Sequence, residues 1–184
     1  MIYLIGLSAL GLAFLFGPKA VELVDEALPA WRKFDALFQR SGSDYGVNWA
    51  WLKAIALNES DLGREKSVER GLNFPLDIDG SKSSDGKSWG LMQVTLSTAK
   101  TMDPGATPIK LNNAAYSVNL AARYIQTLMG YFPKSDPRYL EWVVKSYNQG
   151  PGNTNKEKSG VGGGYANEYW ARFQRNLKRV EGAI

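Results

Sequence analysis

Neither cysteine nor histidine occurs among the 184 residues. Without cysteine there is no disulfide framework, no thiol nucleophile and no thiolate metal site, and the redox compartment is left open. Without histidine a Ser-His-Asp triad, a Cys-His hydrolase and a two-histidine zinc helix are all excluded. Catalysis in this chain has to run on carboxylates, lysine, serine or tyrosine, and nothing in the composition calls for a cofactor or a metal. Long hydrophobic runs are also scarce, with one exception at the N-terminus. Acidic residues number 18 against 22 basic ones, a net charge of +4. That balance suits an acidic polymer or an anionic membrane face, but is too mild to select a partner. No recognition helix or arginine-rich run supports nucleic acid, so none is expected as a partner.

The exception is the run from Ile2 to Phe16, apolar except for small residues such as Gly6, Ser8 and Gly11. As a helix it reaches about 22 Å, short of a hydrocarbon core of about 30 Å. A cleaved signal carries positive side chains before the run and a small-x-small exit after it. Here the exit reads Phe16-Gly17-Pro18-Lys19, and an uncleaved anchor fits better than a cleaved signal or a buried core helix. The expected organisation is a hydrophobic anchor over residues 1–18, an amphipathic stalk helix over 19–33 and a globular domain over 34–184. Residues 2–16 would then touch the membrane, with the domain facing the periplasm or cell wall, or the chain would be virion-associated if phage-encoded.

Beyond the anchor, hydrophobic spacing predicts helices. Residues 20–40 place Val24, Leu28, Trp31, Leu37 and Phe38 on one face, with Pro29 dividing the helix and Ser41-Gly42-Ser43 ending it. A helix starting near Tyr45 follows. From Asp61 to Ser88 periodicity is lost, apart from short strand pieces around Leu72 to Ile78, and a loop of this length inside a domain is usually functional. Ser97 and Thr98 are candidate caps, and Pro104 and Pro108 mark a break. Leu111, Ala115, Val118, Ala122, Ile125 and Met129 predict one long buried helix ending at Gly130. Pro137 opens another, with Leu140, Val143, Val144 and Tyr147 inward, stopped by Gly150-Pro151-Gly152. Residues 152–164 read as a flexible loop and Tyr165 to Val180 as the last helix.

Within the helix from Tyr45, Trp51, Ile55, Glu59 and Leu62 recur three or four apart. A glutamate therefore stands in line with tryptophan, isoleucine and leucine, and Gly63 suits the position past the last turn. Apolar walls and the negative end of the helix dipole both disfavour a carboxylate. The pKa of Glu59 is expected to rise, to about 6 on the lysozyme pattern, which makes the residue a candidate general acid.

Three further stretches join Glu59-Ser60: Ser84-Asp85-Gly86-Lys87-Ser88-Trp89-Gly90-Leu91-Met92-Gln93, Ser146-Tyr147-Asn148-Gln149-Gly150 and Glu168-Tyr169. In this order and spacing they resemble the soluble lytic transglycosylase domain of the goose-type lysozyme superfamily, over roughly residues 34–180. The resemblance implies a mostly helical, lysozyme-like α+β fold with a groove for peptidoglycan glycan strands. It implies Glu59 as catalytic acid and Ser60 as a neighbour that orients the acid or the sugar. Met92 and Gln93 would lie in the groove, Tyr147 and Asn148 would contact the saccharide, and Tyr169 would sit close to Glu59. The reaction implied is non-hydrolytic cleavage to 1,6-anhydromuramic ends. Goose-type lysozymes carry an aspartate shortly before the corresponding turn, and Asp85 is close to that placement, so hydrolysis assisted by Asp85 is the alternative. An inactive glycan-binding part of an envelope or virion machine is another. Lys87 and Ser88 stand where the family usually has glycine and alanine, and Ser117 and Ala121 where it has asparagine and glycine. The N-terminal run also resembles the releasable signal-anchor of some phage endolysins.

Overall fold

The architecture is drawn from a computed structural model that describes residues 31–32, 34–63, 87–162, 164 and 166–182. The predicted anchor, nearly all of the predicted stalk, the strand pieces around Leu72 to Ile78, and Asp85 lie outside the described residues. Eight helices and one two-stranded hairpin make up the described fold. They are α1 (Asp35–Tyr45), α2 (Trp49–Ser60), β1 (Ser88–Trp89), β2 (Val94–Thr95), α3 (Leu96–Met102), α4 (Pro108–Asn112), α5 (Ala114–Met129), α6 (Tyr139–Gln149), α7 (Pro151–Lys158) and α8 (Asn167–Glu181). Among the described residues no helix is long and apolar enough to cross a membrane.

Helix α2 is the axis of the domain, with α1, α5 and α8 packed around it. Its side chains are buried nearly all round, at Ala50, at every position from Leu52 to Leu57, and at Ser60. That is why its sequence, rich in alanine, shows no clean polar face. Lys53 is the exception in kind: 2% exposed, it donates to Asp35 of α1 at 2.6 Å and lies over the Trp31 ring. Burial pushes its ammonium below the ordinary lysine value, against the opposing pull of Asp35. Phe38, Val118, Ile125, Val143, Val144 and Phe173 complete the core from the surrounding helices.

Boundaries differ from the sequence expectation where a glycine or a cap does unexpected work. Helix α1 runs through Ser41-Gly42-Ser43 to Tyr45 and ends on Gly46, whose φ of 64° supplies the left-handed cap. Gly42 is there for close packing instead: a Cβ would meet the Val47 carbonyl oxygen at 2.6 Å. Helix α2 accordingly begins at Trp49, with the Asn48 side chain accepting from the Ala50 N–H. Its C-cap is Asp61 and not Gly63, so Leu62 is buried from beyond the helix end.

The predicted long helix is broken at Asn113, whose side chain accepts from the Tyr116 N–H and caps α5. Leu111 falls in the short α4, opened by Pro108 at its first turn. The buried stripe of α5 contains Ala114, Val118, Ala122, Ile125 and Leu128; Ala115 faces solvent and Met129 is half-buried. Thr95, and not Ser97 or Thr98, caps α3. Helix α6 starts at Tyr139, two residues after Pro137, and α8 starts at Asn167.

The largest correction is α7, where a flexible loop was expected. Its eight residues contain no large apolar side chain, and polar bonds hold it instead. The Lys145 ammonium, fully buried on α6, donates to Glu157 of α7 and to Asn167 at the start of α8. Gln149 donates to Thr154 and Glu157.

Gly42→Ala should destabilise the domain by about 1–3 kcal/mol in urea unfolding, the usual range for overpacking a close contact. Gly152→Ala, with nothing within 4 Å of the added carbon, is the control and should be neutral or slightly stabilising. Equal stability of the two variants would return Gly42 to the role of a helix stop.

Candidate active site

Glu59 stands in the last turn of α2, and two features of the chain on either side of it fix its position. The first is the backbone immediately after it. Asp61, Leu62 and Gly63 take φ values of 47°, 56° and 82° in succession, which turns the chain away from the helix axis. The Ser60 hydroxyl holds that turn, accepting from the Gly63 N–H at 2.9 Å and donating to the Leu91 carbonyl at 2.8 Å. Ser60 is 1% exposed and does not line the cleft. Its contacts are made behind the cleft, with the backbone of the turn and of the hairpin.

The second feature is α8. The Tyr169 hydroxyl donates to Glu59 Oε1 at 2.7 Å. Alongside, Asn176 donates to Asn58, and Asn58 donates to the Tyr169 carbonyl, so side-chain bonds through Asn58 lock α8 to α2 next to the acid. Burial, then the Glu59 charge, then Tyr147 push the Tyr169 phenol well above its ordinary value. It therefore remains a neutral donor at any working pH.

The facing wall comes from the hairpin β1–β2, with Ser88 opposite Thr95 and Trp89 opposite Val94. Its turn, Gly90 to Gln93, lies directly on α4. A Cβ on Gly90 would fall 1.8 Å from the Leu111 carbonyl oxygen, and its φ of 75° also requires glycine. The Met92 N–H donates to the buried Ser117 hydroxyl at 3.2 Å, so Ser117 ties α5 to the hairpin turn. Gln93 has a φ of 47° and its side-chain amide donates to the Gly90 carbonyl. Tyr147 of α6 donates to the Met92 carbonyl at 2.8 Å, and its ring lies against that of Tyr124, centroids 5.8 Å apart. Burial first, and the Glu59 charge second, hold the Tyr147 phenol well above its ordinary value.

Between these walls is a cleft of about 250 Å³ lined by Glu59, Gln93, Tyr147 and Asn148 together with Tyr124, Ser88, Val94, Thr95 and Thr98. Four of the residues singled out in the sequence therefore meet in one hollow, and Tyr169 reaches it through its bond to Glu59. Met92 does not line it: its side chain is fully buried and its backbone carries the contacts. Tyr124, Thr95 and Thr98 were not anticipated. Tyr124 lies on α5 beside the buried stripe, and the signal available for Thr95 was its place just before α3, which it caps. Among the described residues no cluster of three Asp or Glu side chains is placed to hold a metal ion.

Among the described residues eight helices, one of them a buried central helix with a carboxyl in its last turn facing a polar cleft, define a mostly helical, lysozyme-like domain. Residues 36–169 match the Transglycosylase SLT domain, and the chain belongs to that family. Membership carries a peptidoglycan lytic transglycosylase type of activity. A comparison with curated proteins finds no match.

Tyr169→Phe removes one hydrogen bond from the acid and should lower turnover of peptidoglycan about tenfold with little change in melting temperature. Tyr147→Phe strips a buried carbonyl of its donor and should show mainly as a stability loss of about 1–3 kcal/mol. Full turnover by Tyr169→Phe would deny the tyrosine any part in setting the acid.

Proposed function

We propose that the chain cleaves the β-1,4 bond between N-acetylmuramic acid and N-acetylglucosamine without using water, leaving 1,6-anhydromuramic ends. The observation that carries the reading is the placement of Glu59. Its carboxyl lines the cleft with Gln93, Tyr147 and Asn148, and the Tyr169 hydroxyl fixes its direction. Glu59 protonates the glycosidic oxygen as the C1–O bond breaks, and this general acid help is worth roughly 10²- to 10⁴-fold. The sugar's own 6-hydroxyl then bonds to C1 and its proton passes to the Glu59 carboxylate, which restores the acid. Intramolecular attack of this kind reaches effective molarities of about 10⁵–10⁸ M, so a second carboxylate is not needed to raise the nucleophile. Asn148 and Gln93 hold the saccharide against the polar wall. Residues 2–16 anchor the enzyme to the membrane, with the domain facing the periplasm or cell wall. The scheme calls for neither cofactor nor metal.

Mass spectrometry of the released muropeptides tests the product. Anhydro ends support the proposal, whereas reducing ends would make the chain a goose-type muramidase with Asp85 activating water. Glu59→Gln should lower release at least 10³-fold, and Asp85→Asn should remain within about threefold of the unaltered chain. No release by the unaltered chain would leave a glycan-binding component of an envelope or virion machine.

A further inference from the structure

The hairpin that walls the cleft has a hollow on its other side as well. This second hollow, about 320 Å³, is lined by Lys87, Trp89, Thr95, Leu96 and Ser97. Thr95 lines both hollows, so they share a rim. Side chains alternate along a strand. Ser88 accordingly belongs to the Glu59 cleft, while its neighbours Lys87 and Trp89 belong to the second hollow.

The rim is rigid. The Thr95 hydroxyl is bonded to Ser97 and Thr98 and accepts from the Thr98 N–H, and the Trp89 ring is packed in part against the core. Beside that rim the Trp89 ring is half-buried and the Lys87 side chain is exposed. An aromatic surface with one apolar face and a polar edge suits the face of a sugar ring, and a cation beside it suits an acidic substituent on that ring.

We propose that the second hollow is a further saccharide subsite that takes a peptide-bearing sugar of the glycan strand, with Trp89 under the ring and Lys87 facing a carboxylate of the peptide. The proposal rests on reading the Glu59 cleft as the peptidoglycan-cleaving site. It gives Lys87, one of the residues that departs from the family pattern, a definite task. A strand lying across Thr95 occupies both hollows at once, so the second one contributes to binding and register and not to the chemical step.

The test is equilibrium binding by the full chain carrying Glu59→Gln, titrated with soluble glycan strands that retain their stem peptides and with strands stripped of them. Adding Trp89→Ser should weaken both kinds of strand about tenfold, and Trp89→Tyr should recover most of that loss. Adding Lys87→Glu should weaken peptide-bearing strands about fivefold and leave stripped strands within twofold, the size expected of an exposed ion pair. Lys87 is exposed, so its reversal tests the site even where Trp89→Ser fails to fold. Unaltered binding by Trp89→Ser and by Lys87→Glu, or by Lys87→Glu alone where Trp89→Ser does not fold, overturns the subsite. An equal loss on both strands for Lys87→Glu overturns the acidic substituent as its ligand. Product release by the chain with Glu59 intact is scored separately. Binding losses without any release overturn the cleavage reading alone, and release with unaltered binding overturns the subsite alone.

Discussion

The hydrogen bond from the Ser60 hydroxyl to the Leu91 carbonyl is the joint on which the site depends. On one side of it is the helix that ends in Glu59; on the other is the hairpin that forms the opposite wall. The same oxygen accepts from Gly63, which holds three consecutive left-handed residues in place. Left-handed backbone at a non-glycine residue costs about 1–2 kcal/mol. Among the described residues the non-glycine positions with positive φ are Asp61, Leu62 and Gln93; Gln93 lines the cleft, and the other two follow directly on the helix end that carries Glu59. Strain of this kind persists only where surrounding contacts over-determine it. Here those contacts are named: Ser60, the burial of Leu62, and the packing of the Gly90 turn on Leu111.

A second constraint reaches the acid from the far end of the fold. Tyr169 can meet Glu59 only if the first turn of α8 is held, and that turn begins at Asn167, which accepts from the buried Lys145. Lys145 also binds Glu157 and, at 3.0 Å, Glu141. A buried cation surrounded by two carboxylates and an amide contributes little net stability but penalises every arrangement that leaves it unpaired. It therefore fixes α6, α7 and the start of α8 relative to one another. Since Tyr147 and Asn148 follow Lys145 on α6, both tyrosines near the acid are referenced to one ammonium group.

These constraints also explain which parts of the fold were legible in the sequence. The family, the mostly helical class and the positions of Glu59, Gln93, Tyr147, Asn148 and Tyr169 near one another could be read from four ordered motifs. Periodicity located α5, α6 and α8 because each has an apolar stripe. It found α2 with Glu59 in its last turn but set the start near Tyr45 and the cap at Gly63, because a helix buried nearly all round has no clean stripe to mark its ends. It missed α7, which is held by a lysine on a different helix. Gly42 was taken for a stop because sequence shows a missing side chain without showing the carbonyl that needs the space. Ala115 and Ala114 are interchangeable to a hydrophobicity pattern, and only the Asn113 cap sets which of them faces inward. The Ser60 bond was invisible for a similar reason: its acceptor is a backbone oxygen thirty-one residues away.

The departures from the family pattern are structurally coupled. Ser117, in a position the family gives to asparagine, is the acceptor for the Met92 N–H and lies at the edge of the space that Gly90 leaves empty. Lys87 and Ser88 stand on the strand that this same turn returns from, one facing the second hollow and the other the cleft. A larger side chain at 117 would press on the Gly90 turn, and any shift of that turn would carry Ser88, Trp89 and Gln93 with it. Residue 117 therefore bears on the seat of the hairpin that walls the cleft. In this chain the serine at 117 holds the hairpin turn through the Met92 N–H, and the hairpin carries Lys87 and Ser88 where the family usually has glycine and alanine, with Trp89 beside them. The departures at 87 and 88 change hairpin side chains, whereas the joint at Ser60 is made to the backbone carbonyl of Leu91, a group that every sequence of the hairpin would carry.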